Sequence, residues 1–359
     1  MIIEKSILET KMKKAYATMP LPSKHTKTPN LKWPRDIEVI EESGKITLRI
    51  NENAIQSNMQ CNVSAFEGWL LVLKEFVYKG YKFSVEFPKI NKTNKTNKTT
   101  WQHYQRFLFR LSFFDSLYGK GSHEPWFELS DPIKERLNSD CLYTKYRNEG
   151  RLQSNIGKNG RGKGKDNPTK NLSELSETEI EWRLCKGGAD KDCLVSSFNT
   201  GDIYRQFPAC VFHDAVLDDN ALFPGKKACV DLVADSGDEK SFWIFELKKK
   251  GNTPLGILSE LLFYTAIVRD MIAGHVRTQK PSDKDCYDST NLVKNKERIN
   301  ACFLAPDFHP LLIEPIINRL NVAFAQLKKR DNLCSVVFHK AILDIDKKGK
   351  LFVSSSFTQ

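Results

Sequence analysis

One stretch of the chain, ACVDLVADSGDEKSFWIFELKKKGN (228–252), limits the possible folds more than any other. Two apolar runs, 228–234 and 241–249, flank the turn-forming ADSGDEK, which predicts two antiparallel strands joined by a tight reversal. In the first strand Val230 and Leu232 share one face and Asp231 points the other way. In the second, Trp243, Phe245 and Leu247 share a face, while Ile244, Glu246 and Lys248 take the opposite one. Strand pitch then sets the Cα atoms of Glu246 and Lys248 about 6 to 7 Å apart. In the simplest hairpin register Asp231 approaches Glu246. Charges on strands this apolar lie beside a buried sheet, where ionised groups need a partner or a task.

The surrounding pattern alternates strands and helices. A helix is expected over LSELSETEIEWRLCK (172–186), with Ser176 and Glu179 forming a capping box at its start. Short strands follow near Ile203–Phe207, Ala228–Ala234 and Ser241–Lys249, then a long helix, ILSELLFYTAIVRDMI (257–272). A strand (INACFLAP, 299–306), a helix (LLIEPIINRLNVAFAQL, 311–327) and a last strand (CSVVFHKAIL, 334–343) complete the series. Mixed strands with helices on both faces predict an α/β domain of three α/β/α layers.

A chain of 359 residues exceeds the usual single-domain size, and the remainder predicts a separate α+β domain. Residues 1–40 read as an extended basic lead-in, broken by Pro20, Pro22, Pro29 and Pro34. KITLRI (45–50) alternates as a strand, with Ile46, Leu48 and Ile50 on one face. Ser64 to Glu67 predicts a capping box for a helix through Trp69, Leu70, Leu73 and Phe76 that Gly80 stops. KFSVEF (82–87) is a further strand, NKTNKTNKT (91–99) a low-complexity loop, and Trp101–Tyr118 an aromatic-rich helix. Residues 145–170 carry Lys145, Arg147, Arg151, Lys158, Arg161, Lys163, Lys165 and Lys170 among glycines, with few acids and no apolar period. That segment is expected to be a linker, or a flexible strip for phosphates. The expected domains are therefore 1–144, of unassigned chemistry, and 171–359, with 145–170 between them.

Composition narrows the partners. The 55 basic against 44 acidic residues leave a formal charge of +11, which favours polyanions such as nucleic acid. No uncharged apolar run reaches the roughly 18–20 residues of a membrane helix, and charges interrupt the apolar N-terminus, so a cytoplasmic protein is expected. Nine scattered cysteines make no secreted disulfide framework. Cys210-x-x-His213 has no tight cysteine pair beside it, which argues against zinc, and there is neither a phosphate-binding Gly-Lys-Ser/Thr loop nor a Gly-x-Ser-x-Gly elbow.

Two carboxylates with a lysine beside them suit phosphodiester hydrolysis. Paired carboxylates hold a hard cation such as Mg²⁺, and a lysine stabilises the charge that develops on the phosphate. The arrangement Asp231, then Glu246-Leu247-Lys248, then a helix from about Ile257 resembles the PD-(D/E)xK phosphodiesterase superfamily, the restriction-endonuclease-like fold. The resemblance covers roughly residues 173–345. It departs from the family pattern at Val230, where the family has a proline.

The resemblance implies a restriction-endonuclease-like core and a Mg²⁺-dependent nuclease, with Mn²⁺ as a substitute metal. Asp231, Glu246 and Lys248 would be catalytic, with Asp231 and Glu246 holding the metal. Glu181, mid-helix, would be a further catalytic or metal-binding acid, with Glu177 in reserve. Arg205 and Gln206 on the first core strand would touch nucleic acid or the metal's water shell, although Gln206 fits an ordinary strand position equally well. Lys249 and Lys250, with Arg161, Lys163 and Lys165 of the basic segment, would meet backbone phosphates. Glu260 and Tyr264 share a helix face; similar family helices place polar residues near the substrate, and a solvated stripe is the preferred reading of this one. DNA is the expected substrate, in restriction or phage defence, with a homodimer or a partner docked through the N-terminal domain. The alternative is a non-catalytic nucleic-acid- or protein-binding module that keeps the nuclease fold.

Overall fold

The computed structural model describes residues 1–18, 31–90, 97–158, 171–185, 187–225, 228–279 and 286–357. Structural counts and absences refer to these residues. The repeat at 91–96 lies outside them, as do Pro20, Pro22, Pro29 and residues 159–170.

The chain forms two compact units. The first comprises Met1–Cys141, Pro254–Ser259 and His309–Arg319. Its sheet runs in the order β1 (Ile2–Ile3), β2 (Ile37–Glu42), β3 (Lys45–Ile50), β4 (Lys82–Glu86). Only the β3–β4 pair is parallel. The apolar face expected of β3 is the buried one: Ile46, Leu48 and Ile50 are at most 2% exposed. Helices α1 (Lys5–Ala17), α2 (Glu52–Gln56), α3 (Phe66–Val72), α4 (Lys98–Tyr118) and α5 (Asp131–Asp140) complete this unit. An aromatic core of Phe66, Phe83, Phe107, Phe114 and Phe127 fills it.

Two expectations fail here. The N-terminal residues are not an extended lead-in, because Leu8, Met12 and Tyr16 recur every fourth residue and bury one stripe of α1. Nor does Ser64 cap α3. Ser64 Oγ donates to the Asn58 carbonyl, and α3 starts at Phe66 behind an uncapped Ala65. Glu67, the intended partner, takes the Arg110 guanidinium (2.7 Å) and the Ser259 hydroxyl (2.7 Å) instead. A buried carboxylate gains more from a guanidinium than from one backbone N–H.

The second unit comprises Leu142–Thr253, Glu260–Phe308 and Leu320–Gln359. It opens with α6 (Leu142–Asn148), β5 (Leu152–Ser154) and β6 (Gly157–Lys158), so residues 145–158 are not the linker expected of them. Specific ion pairs hold this basic segment. Arg147 binds Asp270 at 2.8 Å and Arg151 binds Asp214 at 2.6 Å. Helices α7 (Glu177–Leu184) and α8 (Asp192–Phe198) follow, α7 carrying the complete capping box of Ser176 and Glu179.

The strands β7 (Thr200–Pro208), β8 (Phe212–His213), β9 (Cys229–Ser236) and β10 (Ser241–Leu247) come next, then α9 (Gly256–Ile272), β11 (Val276–Thr278) and β12 (Cys286–Tyr287). After α10 (Ser289–Val293) the chain adds β13 (Arg298–Ala305), α11 (Glu314–Asp331), β14 (Ser335–Ile345) and β15 (Leu351–Phe357). The main sheet has the order β15-β14-β13-β10-β9-β7, with β10, β13 and β14 mutually parallel and the other pairs antiparallel. Trp243, Phe245 and Leu247 pack with Leu232, Ala234 and Cys302 against Ile180, Leu184 and Leu194 of α7 and α8. On the other face Lys248 meets Glu260 of α9, and Phe338 meets Phe324 of α11. This unit is an α/β domain with a mixed sheet between helices. Among the described residues no helix is long and apolar enough to cross a membrane.

Candidate active site

The β9–β10 pairing matches Leu232 with Phe245 and Val233 with Ile244. Continued by one residue, that register sets Asp231 opposite Glu246. There the ladder yields to a side chain, and Asp231 Oδ2 accepts the Leu247 N–H at 2.7 Å. Glu246 and Lys248 lie on the face of β10 away from Trp243, Phe245 and Leu247. Both are at most 2% exposed. Lys248 Nζ contacts Glu246 Oε1 at 2.5 Å and Glu260 Oε2 at 3.1 Å, and donates to the Leu247 carbonyl at 2.9 Å. Tyr264, one turn along α9, donates to Glu260 Oε1 at 3.2 Å. Asp231, Glu246, Lys248, Glu260 and Tyr264 thus make one cluster.

Three carboxyls act on one ammonium, Glu246 and Glu260 by direct contact and Asp231 through its charge. Fully ionised they would leave two negative charges uncompensated, and burial together with that excess opposes the ionisation of Asp231 and Glu246. Desolvation, then the charges of Glu181 and Glu260, push Asp231 up to about 7, against the pull of Lys248 and the Leu247 N–H. Burial, then Asp231 and Glu260, raise Glu246 well above the usual carboxylate range. Burial works against the Lys248 charge, but Glu246, Glu260 and Asp231 outweigh it and keep the lysine firmly protonated. Burial and the same carboxyls raise the Tyr264 phenol. A side-chain hydrogen bond between the Glu246 and Glu260 carboxyls raises Glu246 further.

The remaining expected site residues divide. Glu181 is buried beside the cluster, but its carboxylate engages Arg205 at 3.2 Å. Burial raises its pKa and Arg205 opposes that rise. Arg205 is 1% exposed and lies 5.7 Å over the Trp182 ring, so the expected contact with nucleic acid is corrected: its guanidinium is locked inside the domain. Glu177 accepts the Lys249 N–H (3.2 Å) and the Asn252 amide (3.1 Å), fixing the turn after β10. Lys249 and Lys250 are exposed, and Gln206 is half-buried. Arg161, Lys163 and Lys165 lie outside the described residues.

Glu260 and Tyr264 are 2% and 4% exposed, so the preferred reading as a solvated stripe is corrected. The signal was present: α9 is apolar around its whole circumference, which predicts burial for any acid within it. Among the described residues no group of three or more His, Cys, Asp or Glu side chains is arranged to hold a metal ion. No protein-family model, curated protein or solved structure matches the chain.

Proposed function

We propose that the chain is a metal-dependent nuclease of PD-(D/E)xK type that hydrolyses phosphodiester bonds, DNA foremost, with Mg²⁺ and with Mn²⁺ as a substitute. One observation carries this reading: three acidic side chains gather about one buried lysine, with Glu246 and Glu260 pairing directly with Lys248 and Asp231 acting on it through its charge. A divalent cation matches the excess of two negative charges, and hard carboxylate oxygens are the donors that Mg²⁺ takes. Mg²⁺ needs only one or two protein carboxylates and keeps its other positions for water and substrate, so Asp231 and Glu246 suffice to hold it. When bound, the metal would supply charge neutralisation on the phosphate and acidify a water.

The chain's own part follows from its contacts. Lys248 is kept protonated and fixed by Glu246, Glu260 and the Leu247 carbonyl, so it presents a constant positive charge to a phosphate. Tyr264 steadies Glu260, and through it Lys248. Exposed Lys249 and Lys250 extend the positive end of the strand toward a backbone. A role in restriction or phage defence rests on the resemblance alone. The alternative, a binding module that keeps the fold, draws on the burial of Glu246 and Lys248 and their direct pairing, which also suits a structural ion pair.

Incubation with plasmid, linear DNA and RNA, each in Mg²⁺, Mn²⁺ or EDTA, separates the two. Cleavage should need the metal and be lost in Asp231→Asn and Glu246→Gln, while Lys248→Ala should slow it by about 10² or more. Wild-type protein that binds nucleic acid and cuts none of these substrates sinks the nuclease reading.

A further inference from the structure

A residue other than glycine with positive φ inside a strand is uncommon, and its surroundings must hold it there. Gln206, in β7, has φ 51°. Its neighbours keep the antiparallel ladder, Arg205 opposite Leu232 and Phe207 opposite Val230, so this register sets Gln206 opposite Asp231. Gln206, Asp231 and Glu246 therefore form one row across three strands.

Two clamps fix the peptide before Gln206. The Arg205 carbonyl accepts the Tyr287 hydroxyl at 3.2 Å, and the Arg205 side chain is tied to Glu181. Tyr287 is itself wedged in place. It packs on Tyr204 at 5.0 Å and pairs across β6–β12 with Gly157, where a Cβ would stand 2.3 Å from its ring. With both handles of Arg205 held, the backbone at Gln206 is set in the left-handed region. Gln206 is half-buried, and its carboxamide makes no hydrogen bond among the described residues.

A strand position without a ligand gains nothing from this conformation, and glycine or asparagine would adopt it at less cost. A carboxamide in such a place has two donors and no charge, so it can bind an anionic oxygen without neutralising the carboxylates beside it. We propose that Gln206 is a substrate-positioning residue, donating from its carboxamide to a non-bridging phosphate oxygen of a nucleic-acid strand next to Asp231. This inference rests on the nuclease reading of the same cluster.

The test compares wild type with Gln206→Gly and Gln206→Asn, both of which suit a left-handed backbone and so keep the fold. Affinity for a fluorescein-labelled DNA duplex is measured by anisotropy with Ca²⁺, another oxygen-binding cation, in place of Mg²⁺. Gln206→Gly should bind about tenfold or more weaker, the size of one lost hydrogen bond to a charged group, with an unfolding midpoint at or above the wild type's. Gln206→Asn should recover part of the affinity. Binding by Gln206→Gly within about twofold of wild type overturns the proposal whether or not the wild type cleaves. So does a wild type that binds no duplex, or a lowered unfolding midpoint that accompanies the loss. Wild-type binding that weakens in Gln206→Gly, without cleavage in Mg²⁺, supports the positioning role and removes the nuclease reading instead.

Discussion

At the scale of single residues, burial and neighbouring carboxyls oppose the ionisation of Asp231 and Glu246. Asp231 and Glu246 hold protons in the folded chain at pH values where the unfolded chain has released them. The sign follows from linkage. For Asp231, with a folded pKa of about 7 and an ordinary value of 3.8, the folded state loses relative stability as pH rises through that window. Asp231→Asn removes this cost. Without metal the variant should therefore be more stable than wild type at pH 8, by on the order of 1–2 kcal/mol once solvent screening is included, and should have little advantage at pH 4. Mg²⁺ should raise the wild-type unfolding midpoint and leave that of Asp231→Asn unmoved. Thermal unfolding at both pH values, with Mg²⁺ or EDTA, checks this, and a variant less stable than wild type at pH 8 without metal would contradict it. Asp231, Glu246 and Lys248 were visible in the sequence because strand alternation is strictly local. Glu260 was not assigned to the cluster, because the apolar circumference of α9 predicts its burial but not which strand it faces, and that depends on how the helix packs on the sheet.

At the scale of elements, short signals succeeded where their groups met only each other. Ser176 and Glu179 close the capping box of α7, with Ser176 Oγ accepting the Glu179 N–H at 3.2 Å and Glu179 Oε2 accepting the Ser176 N–H at 2.8 Å. Ser176→Ala should therefore destabilise the protein by about 1 kcal/mol. Denaturant unfolding measures that loss, and no change at all would mean that the cap is redundant. The same motif at Ser64 and Glu67 failed because Arg110, 43 residues away, claims the carboxylate. Strands β7, β9, β10, β13 and β14 were all legible, each carrying a sustained apolar pattern bounded by turns. β15 was not read, because LFVSSSF has too few apolar residues and is a strand only by pairing with β14.

At the scale of the whole molecule, the first unit takes in residues 254–259 and 309–319 from the second half of the chain. Within that unit Leu255 packs on Gly68, Ser259 bonds Glu67, and Arg319 binds Glu75 at 2.6 Å. A fragment of residues 142–359 would strip these groups of their partners. It should fail to unfold cooperatively, whereas the full chain should show a sharp transition, and calorimetry of both decides. By itself the sequence determined the α/β character of the second half, the hairpin, and the face that Asp231, Glu246 and Lys248 share, since periodicity and turn chemistry act over a few residues. Tertiary structure alone decided that Arg205 is locked to Glu181, that Glu260 and Tyr264 join the cluster, and that Gln206 takes a left-handed backbone. Each of these depends on a partner in another element, and a partner's identity emerges only once the sheet and its helices have packed.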